Sequence, residues 1–243
     1  MAQALVPLKD LVEAKSRLSG LLRPSERRAL AQAMAEDVLT VLRAHSGIAQ
    51  ITLVSDDPGA GLLAQKYGAD CWSEKSLGCR GLNPLIQCAS ERLLAGGEAP
   101  LIVLHADLPL LGAPDISAVL DSQRKIGGLI IGCDRQGRGT NLLAFDAANI
   151  PDFCFGADSC ARHLASARSA GIPAQVLQSP GIEVDVDEAP DLKFIMDQLS
   201  LNPASNTAQL LYNTALGTRV GAALATMVGG AELMNDANRG MTS

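Results

Sequence analysis

Aromatic side chains are nearly missing from this 243-residue chain, which has four Phe, two Tyr and one Trp. So few rings leave the core to Leu, Val, Ile and Ala, and they cannot build the stacking platforms that single-stranded nucleic acid requires. The three histidines (His45, His105, His163) are scattered, with His45 and His105 expected in structural roles. There is no G-x-S-x-G elbow and no Cys/His arrangement for nucleophilic catalysis. The six cysteines form no C-x-x-C pair and no zinc spacing, so reduced, buried thiols are expected. No apolar run approaches the ~20 residues of a membrane span. The opening MAQALVPLKD lacks the basic start and long apolar core of a signal peptide, which together predict a cytoplasmic chain. A net charge of −6 argues against nucleic acid or an anionic membrane as the main partner.

What remains is a length suited to one α/β domain with a modest extension, and a hydrophobic fraction of 47%. Short apolar runs alternate with helical patterns. Strands are predicted over residues 3–6, 50–55, 70–72, 101–105, 129–133, 141–145, 174–178 and 182–186. Helices are predicted over 24–44, 59–66, 83–94, 115–125, 159–170 and 189–199. Such alternation gives a mostly parallel central sheet with helices on both faces, and it puts functional loops at the carboxyl ends of the strands. The division expected is a catalytic domain over 1–199 and, over 200–243, a linker with a C-terminal helical extension. Residues 202–206 read as the linker, 207–228 as weakly helical, and those beyond Gly229 as a frayed end. The Ala/Gly-rich character of this extension is compatible with a homodimer contact.

Four stretches could carry chemistry. The run LIVLHADLPLL (101–111) leaves its core strand through a single carboxylate, Asp107, before Pro109 turns the chain away. In IEVDVDEAPDL (182–192), strand alternation would put Asp185 and Asp187 on one face and Val184 and Val186 on the other. Two such carboxylates repel unless a cation lies between them, and a set of oxygens without histidine suits Mg²⁺. The bland alternative is that Asp187 or Glu188 caps the following helix. The loop PLKDLVEAKSRL (7–18) places Lys9, Lys15 and Arg17 within nine residues of an acidic protein. It has none of the glycines of a P-loop or dinucleotide fingerprint, so phosphate would be held by side-chain cations, or the loop is simply solvated. Finally, Arg138, Thr140, Gly156 and Ser159, in DRQGRGTNLLAF and FGADSCARH, combine a cation, a hydroxyl and a helix start that could hold a small phosphorylated acid. Each is equally ordinary turn or cap chemistry. In GCRGLNPLIQ (78–87), Asn83 reads as an N-cap before Pro84.

In order along the chain, PLK and AKSRL, SDD, GLN, ADLPLL, RGTN, FGADSCARH and VDVD resemble the CofC/FbiD guanylyltransferases of coenzyme F-420 biosynthesis. The likeness spans about residues 3–199. It implies a GT-A-like nucleotidyltransferase fold that transfers GMP from GTP to the phosphate of 2-phospho-L-lactate, phosphoenolpyruvate or 3-phospho-D-glycerate, releasing pyrophosphate. It further implies Mg²⁺ on Asp107, Asp185 and Asp187. Lys9, Lys15 and Arg17 would lie around the triphosphate, with Asp107, Lys15 and Arg17 as catalytic groups. Gly81 and Asn83 would lie near the guanine, and Arg138, Thr140, Gly156 and Ser159 around the acceptor acid. His105 departs from the pattern, where proline or another small residue is expected. The alternatives are another GT-A-like nucleotidyltransferase, disfavoured by the glycine-free first loop, and a non-catalytic nucleotide-binding regulator.

Overall fold

A computed structural model of the chain describes residues 1–9, 11, 15–97, 99–201 and 203–226. Along the chain run β1 (Ala2–Pro7), α1 (Pro24–Ala44), β2 (Ile48–Val54), α2 (Ala60–Tyr67), β3 (Asp70–Trp72), α3 (Glu74–Leu77), α4 (Leu82–Leu94) and β4 (Leu101–Leu104). They are followed by α5 (Ala113–Ile126), β5 (Leu129–Cys133), β6 (Thr140–Phe145), α6 (Ser159–Ser169), β7 (Ala174–Leu177), α7 (Ala189–Leu199) and α8 (Asn206–Tyr212). Residues 215–226 are also helical.

The strands form one seven-stranded sheet in the order β3-β2-β1-β4-β6-β5-β7. Only β6 runs against its neighbours. Its reversal has a local cause: residues 134–139 join β5 to β6 in a tight turn, with Gly137 at φ 69° and its N–H donating to Asp134 O at 2.9 Å. Six residues can close a hairpin but cannot make a parallel crossover. β4, β5 and β6 are buried along their whole length, as expected of strands covered on both faces. One core packs α1, α2 and α5 on one side of the sheet, and a second packs α4 and α6 on the other. The expected α/β architecture is therefore the observed one.

A third apolar cluster lies beside the sheet. It joins Leu18, Leu21 and Leu22 and the α1 residues Leu30 and Met34 to Val184 and Val186, α7, α8 and the helix at 215–226. Asp37 of α1 caps this addition, accepting from Asn206 N–H at 2.6 Å and Thr207 N–H at 2.9 Å. Arg219 donates to Leu21 O at 2.9 Å and to Glu26 at 2.6 Å. The extension thus packs against the turn that follows the basic loop. The frayed end expected beyond Gly229 lies outside the described residues.

Three expectations are corrected. Residues 182–186 are not a strand: no ladder forms there, because Arg135 N–H and the Asn141 side chain take the carbonyls of Glu183 (2.8 Å) and Ile182 (2.9 Å). Its in-out alternation nevertheless survives, with Val184 and Val186 buried. Gly132 of β5 lets this segment lie close, since a Cβ there would stand 2.6 Å from Ile182 Cγ2. Asn83 is not a cap, because α4 begins at Leu82 with Gly81 as its N-cap (φ 86°). The thiols are not all reduced: Cys79 pairs with Cys88 and Cys133 with Cys160, partners brought together by tertiary packing rather than by spacing. Cys71 is exposed and Cys154 half-buried, both unpaired. Among the described residues, no helix is long and apolar enough to cross a membrane.

Candidate active site

Strand β1 lies between β2 and β4, so the connections leaving β1 and β4 diverge at their carboxyl ends. An open α/β sheet has its crevice at such a point. A cleft of about 370 Å³ occupies it, lined among others by Lys9, Lys15, Arg17, His105, Asp107, Asp185 and Asp187. Lys9 follows β1 and Asp107 follows β4, while Asp185 and Asp187 come from the extended segment before α7. A second cleft of about 280 Å³ adjoins it, sharing Arg17, Asp185 and Asp187 and adding Arg138.

The centre of the first cleft is an ion cluster. Lys15 Nζ donates to Asp107 Oδ2 and, at 2.9 Å, to Asp187 Oδ1. Its side chain is only 7% exposed. Burial by itself would lower the Lys15 pKa, but Asp107 and Asp187 outweigh it and raise it, so the ammonium stays charged. Burial would likewise raise Asp107, yet Lys15 holds its carboxyl below the usual carboxylate range. Asp185 has no such cation: burial and the charges of Asp107 and Asp187 push it up to about 6, against a 3.3 Å hydrogen bond from Asn141. Burial lowers the pKa of His105, so its imidazole is neutral. At the mouth, Arg17 pairs with Glu188 at 3.1 Å, both exposed.

These carboxylates suit a hard divalent cation. Asp107 Oδ1 is buried with no hydrogen-bond partner, and Lys15 pairs with two of the three carboxylates, Asp107 and Asp187. Among the described residues, however, no three His, Cys, Asp or Glu side chains close around one point. Lys15 holds the position between Asp107 and Asp187.

The basic loop is anchored by Asp57, the last residue of the SDD stretch that follows β2. Asp57 is buried and accepts from Leu11 N–H at 2.9 Å and Gly59 N–H at 2.7 Å, with Arg28 at 3.6 Å. A buried carboxylate satisfied by a loop amide fixes the entry to the loop. A carboxylate following another at a strand end was the available signal.

Arg138 lines the second cleft, whereas Thr140, Gly156, Ser159 and Asn83 line neither of these two clefts and form a separate group. Buried His163 accepts Cys154 N–H at Nε2 (2.8 Å), so Nδ1 carries the proton and lies 3.1 Å from Thr140 Oγ1. The Thr140 hydroxyl hydrogen is left to donate elsewhere. Ser159 opens α6, whose Cys160 N–H donates to Arg138 O at 2.9 Å, and Gly156 sits at φ 124°. Asn83 uses both amide atoms on Phe155, accepting its N–H at 2.8 Å and donating to its O at 3.2 Å. Thus Asn83 fastens the Phe155 loop to α4. The Phe155 ring bridges the two groups, 5.3 Å from His105 and 5.0 Å from His163.

Burial pushes His163 down to about 4. Protonation would also turn Nε2 into a donor facing Cys154 N–H. The unfolded chain, with a histidine near 6.5, therefore binds the proton first as pH falls, and stability drops between about pH 6.5 and 4 by about 3 kcal/mol. Urea melts across that interval should show a flatter pH slope in His163→Gln than in the wild type. Equal slopes would show that His163 is not the group responsible.

Residues 2–206 match the family model described as guanylyl transferase CofC like. The phosphoenolpyruvate guanylyltransferase of Chloroflexus aggregans is 36% identical over 192 residues, which is 77% of this chain and 93% of that protein. That of Sphaerobacter thermophilus is 34% identical over 203 residues, covering 84% and 96%. Among solved structures, a protein described as a nucleotide-diphospho-sugar transferase from Desulfovibrio desulfuricans superposes with a TM-score of 0.74 at 17% identity, covering 91% of this chain and 98% of that one. A 4-diphosphocytidyl-2C-methyl-D-erythritol synthase gives 0.56 at 12% identity, covering 80% and 96%. At such identities the structural likeness speaks for the fold alone.

Proposed function

The chain belongs to the CofC-like guanylyl transferase family, a nucleotidyltransferase family, and on that premise we propose that it transfers GMP from GTP to the phosphate of a three-carbon phosphorylated acid in coenzyme F-420 biosynthesis. Phosphoenolpyruvate is the first acceptor to test, since the relatives at 36% and 34% identity carry that substrate in their names. 2-Phospho-L-lactate and 3-phospho-D-glycerate differ from it by few atoms and are the alternatives. The observation that carries this reading is the meeting of Lys9, Lys15 and Arg17 with Asp107, Asp185 and Asp187 in one cleft at the carboxyl edge of β1 and β4.

Asp107, Asp185 and Asp187 would hold Mg²⁺, which supplies charge neutralisation at the phosphates. The chain's own cations do the rest. Lys9 and Arg17 line the cleft, where they would meet the triphosphate and stabilise pyrophosphate as it departs. Thr140, with its oxygen engaged by His163, would offer its hydrogen to the acceptor, and the helix start at Ser159 and the Arg138 guanidinium would favour its anionic groups. Gly156 permits close backbone approach. An acceptor phosphate oxygen attacks the α-phosphorus, the new phosphoanhydride forms, and the bond to the β-phosphate breaks. The attacking oxygen is already anionic, so no general base and no covalent enzyme intermediate are needed. Gly81 and Asn83 remain the guanine-side residues of the proposal, Asn83 by fixing the wall formed by Phe155. The proposal includes a cytoplasmic location, where GTP is supplied and where both disulfides would face a reducing pool.

The test is a matrix of the four nucleoside triphosphates against the three acids with Mg²⁺, read as pyrophosphate. Release only with GTP, and only with an acid present, is expected. Release with another nucleotide would point to a different nucleotidyltransferase, and nucleotide binding without release to a regulator.

A further inference from the structure

We infer that Lys15 is a resident counter-cation, which occupies the carboxylate cluster in the metal-free protein and leaves Asp107 and Asp187 when a divalent cation enters. The inference rests on the Mg²⁺ reading above and adds a device to it. Lys15 is not placed as a phosphate-binding residue at rest would be. Its Nζ reaches past the cleft opening to bridge carboxylates 92 and 172 positions away in sequence, and its side chain is nearly sealed from water. It does so from a left-handed backbone (φ 57°, ψ 38°), which a non-glycine residue adopts only when its surroundings hold it there. Lys9 and Arg17, the other two cations of the cleft, make no ion pair with Asp107, Asp185 or Asp187.

An ammonium and a divalent ion that share carboxylate oxygens repel each other strongly, and Lys15 already holds Asp107 Oδ2 and Asp187 Oδ1. Without any cation, three carboxylates would face one another in a partly dry cleft. Lys15 offsets two of them by direct ion pairs, and among the described residues no cation pairs with Asp185. While Lys15 is in place, Asp107 Oδ1 is shut away from solvent without a partner. Departure of Lys15 would open Asp107 to a metal and free one positive charge beside the triphosphate. Lys15 is therefore a positioning residue that couples metal entry to phosphate binding. Metal affinity without nucleotide is kept low by the same contact.

The experiment is a Mn²⁺ titration of the nucleotide-free full chain, followed by the loss of free-Mn²⁺ paramagnetic resonance signal. Lys15→Met should bind Mn²⁺ at least tenfold more tightly than the wild type, and Lys15→Met/Asp107→Asn should lose that gain. Equal or weaker binding by Lys15→Met, with binding still dependent on Asp107, overturns the counter-cation and leaves the metal reading intact. Absence of Mn²⁺ binding in both proteins, with and without GTP, overturns both. A second readout on the wild type avoids dependence on a variant that may not fold without its cation. Acylation of Lys15 by an N-hydroxysuccinimide ester, mapped by mass spectrometry, should rise severalfold when Mn²⁺ is added, and no rise overturns the proposal.

Discussion

Asp107→Asn is expected to lower the turnover number for pyrophosphate release by about a thousandfold, within the range for losing a group that stabilises transition-state charge. The melting transition should stay near that of the wild type. Asparagine keeps the shape of the side chain, and β4 is held by apolar burial on both faces rather than by this carboxylate. Two electrostatic effects also oppose each other. Lys15 loses one of its two partners but keeps Asp187, whereas Asp185 is relieved of one neighbouring negative charge. Steady-state kinetics with saturating GTP and acceptor, beside a urea melt, separate the two outcomes. Near-normal turnover would remove Asp107 from the chemistry. A collapsed melting transition would make it a structural residue.

The second large effect concerns the extension. Val220 is fully buried in the cluster formed by Leu18, Leu22, Leu30, Val184 and Val186. Placing an unpaired carboxylate there, as in Val220→Asp, should cost about 4 kcal/mol, the scale of an uncompensated buried charge. Against a total stability on the order of 10 kcal/mol, that is a severe loss. The damage should reach the site, because Leu18 follows Lys15 and Arg17 while Val184 and Val186 flank Asp185. A lowered denaturation midpoint together with weakened GTP binding at mild temperature is expected, whereas Val220→Ile should keep both near the wild type. If Val220→Asp melted like the wild type, the extension would not be part of the supporting core.

Much of the fold was readable because apolar periodicity reports burial. The LIVL run of β4, buried on both faces, and the helical stripe of α1 (Leu30, Met34, Val38) are cases where one interaction dominates. The same logic misled at 182–186. Alternation of Val and Asp does show which side faces the core, but it cannot show whether a neighbouring strand accepts the hydrogen bonds. There the partners were the Arg135 amide and the Asn141 side chain, residues of a hairpin 41 to 48 positions earlier. Asn83 failed for a related reason: next to Pro84 it has the composition of a cap, while its real partner, Phe155, lies 72 residues away. The disulfide pairs are contacts of the folded chain that carry no spacing signal.

The site divides similarly. A charge ending a core strand at the carboxyl edge marks Asp107 as a candidate but leaves loop chemistry open, and the fold brings it into one cleft with Asp185 and Asp187. The spacing of Lys9, Lys15 and Arg17 marks a basic loop, and the fold puts all three on one cleft, but composition alone gives no reason to single out Lys15. Its bridge to Asp107 and Asp187 depends on three segments meeting in space and on a left-handed backbone at one residue. Asp57 and His163 act through other residues, by holding the loop and by fixing the Thr140 hydroxyl. Such supporting roles leave little trace in residue type.

The most direct measurement is the phosphorus-31 magnetic resonance spectrum of the full chain turning over GTP, phosphoenolpyruvate and Mg²⁺. A pair of mutually coupled doublets from a new unsymmetrical diphosphate, growing in step with free pyrophosphate, is the predicted result. Pyrophosphate accompanied by GMP, or orthophosphate accompanied by GDP, with the acid's phosphate resonance unchanged, would contradict the account.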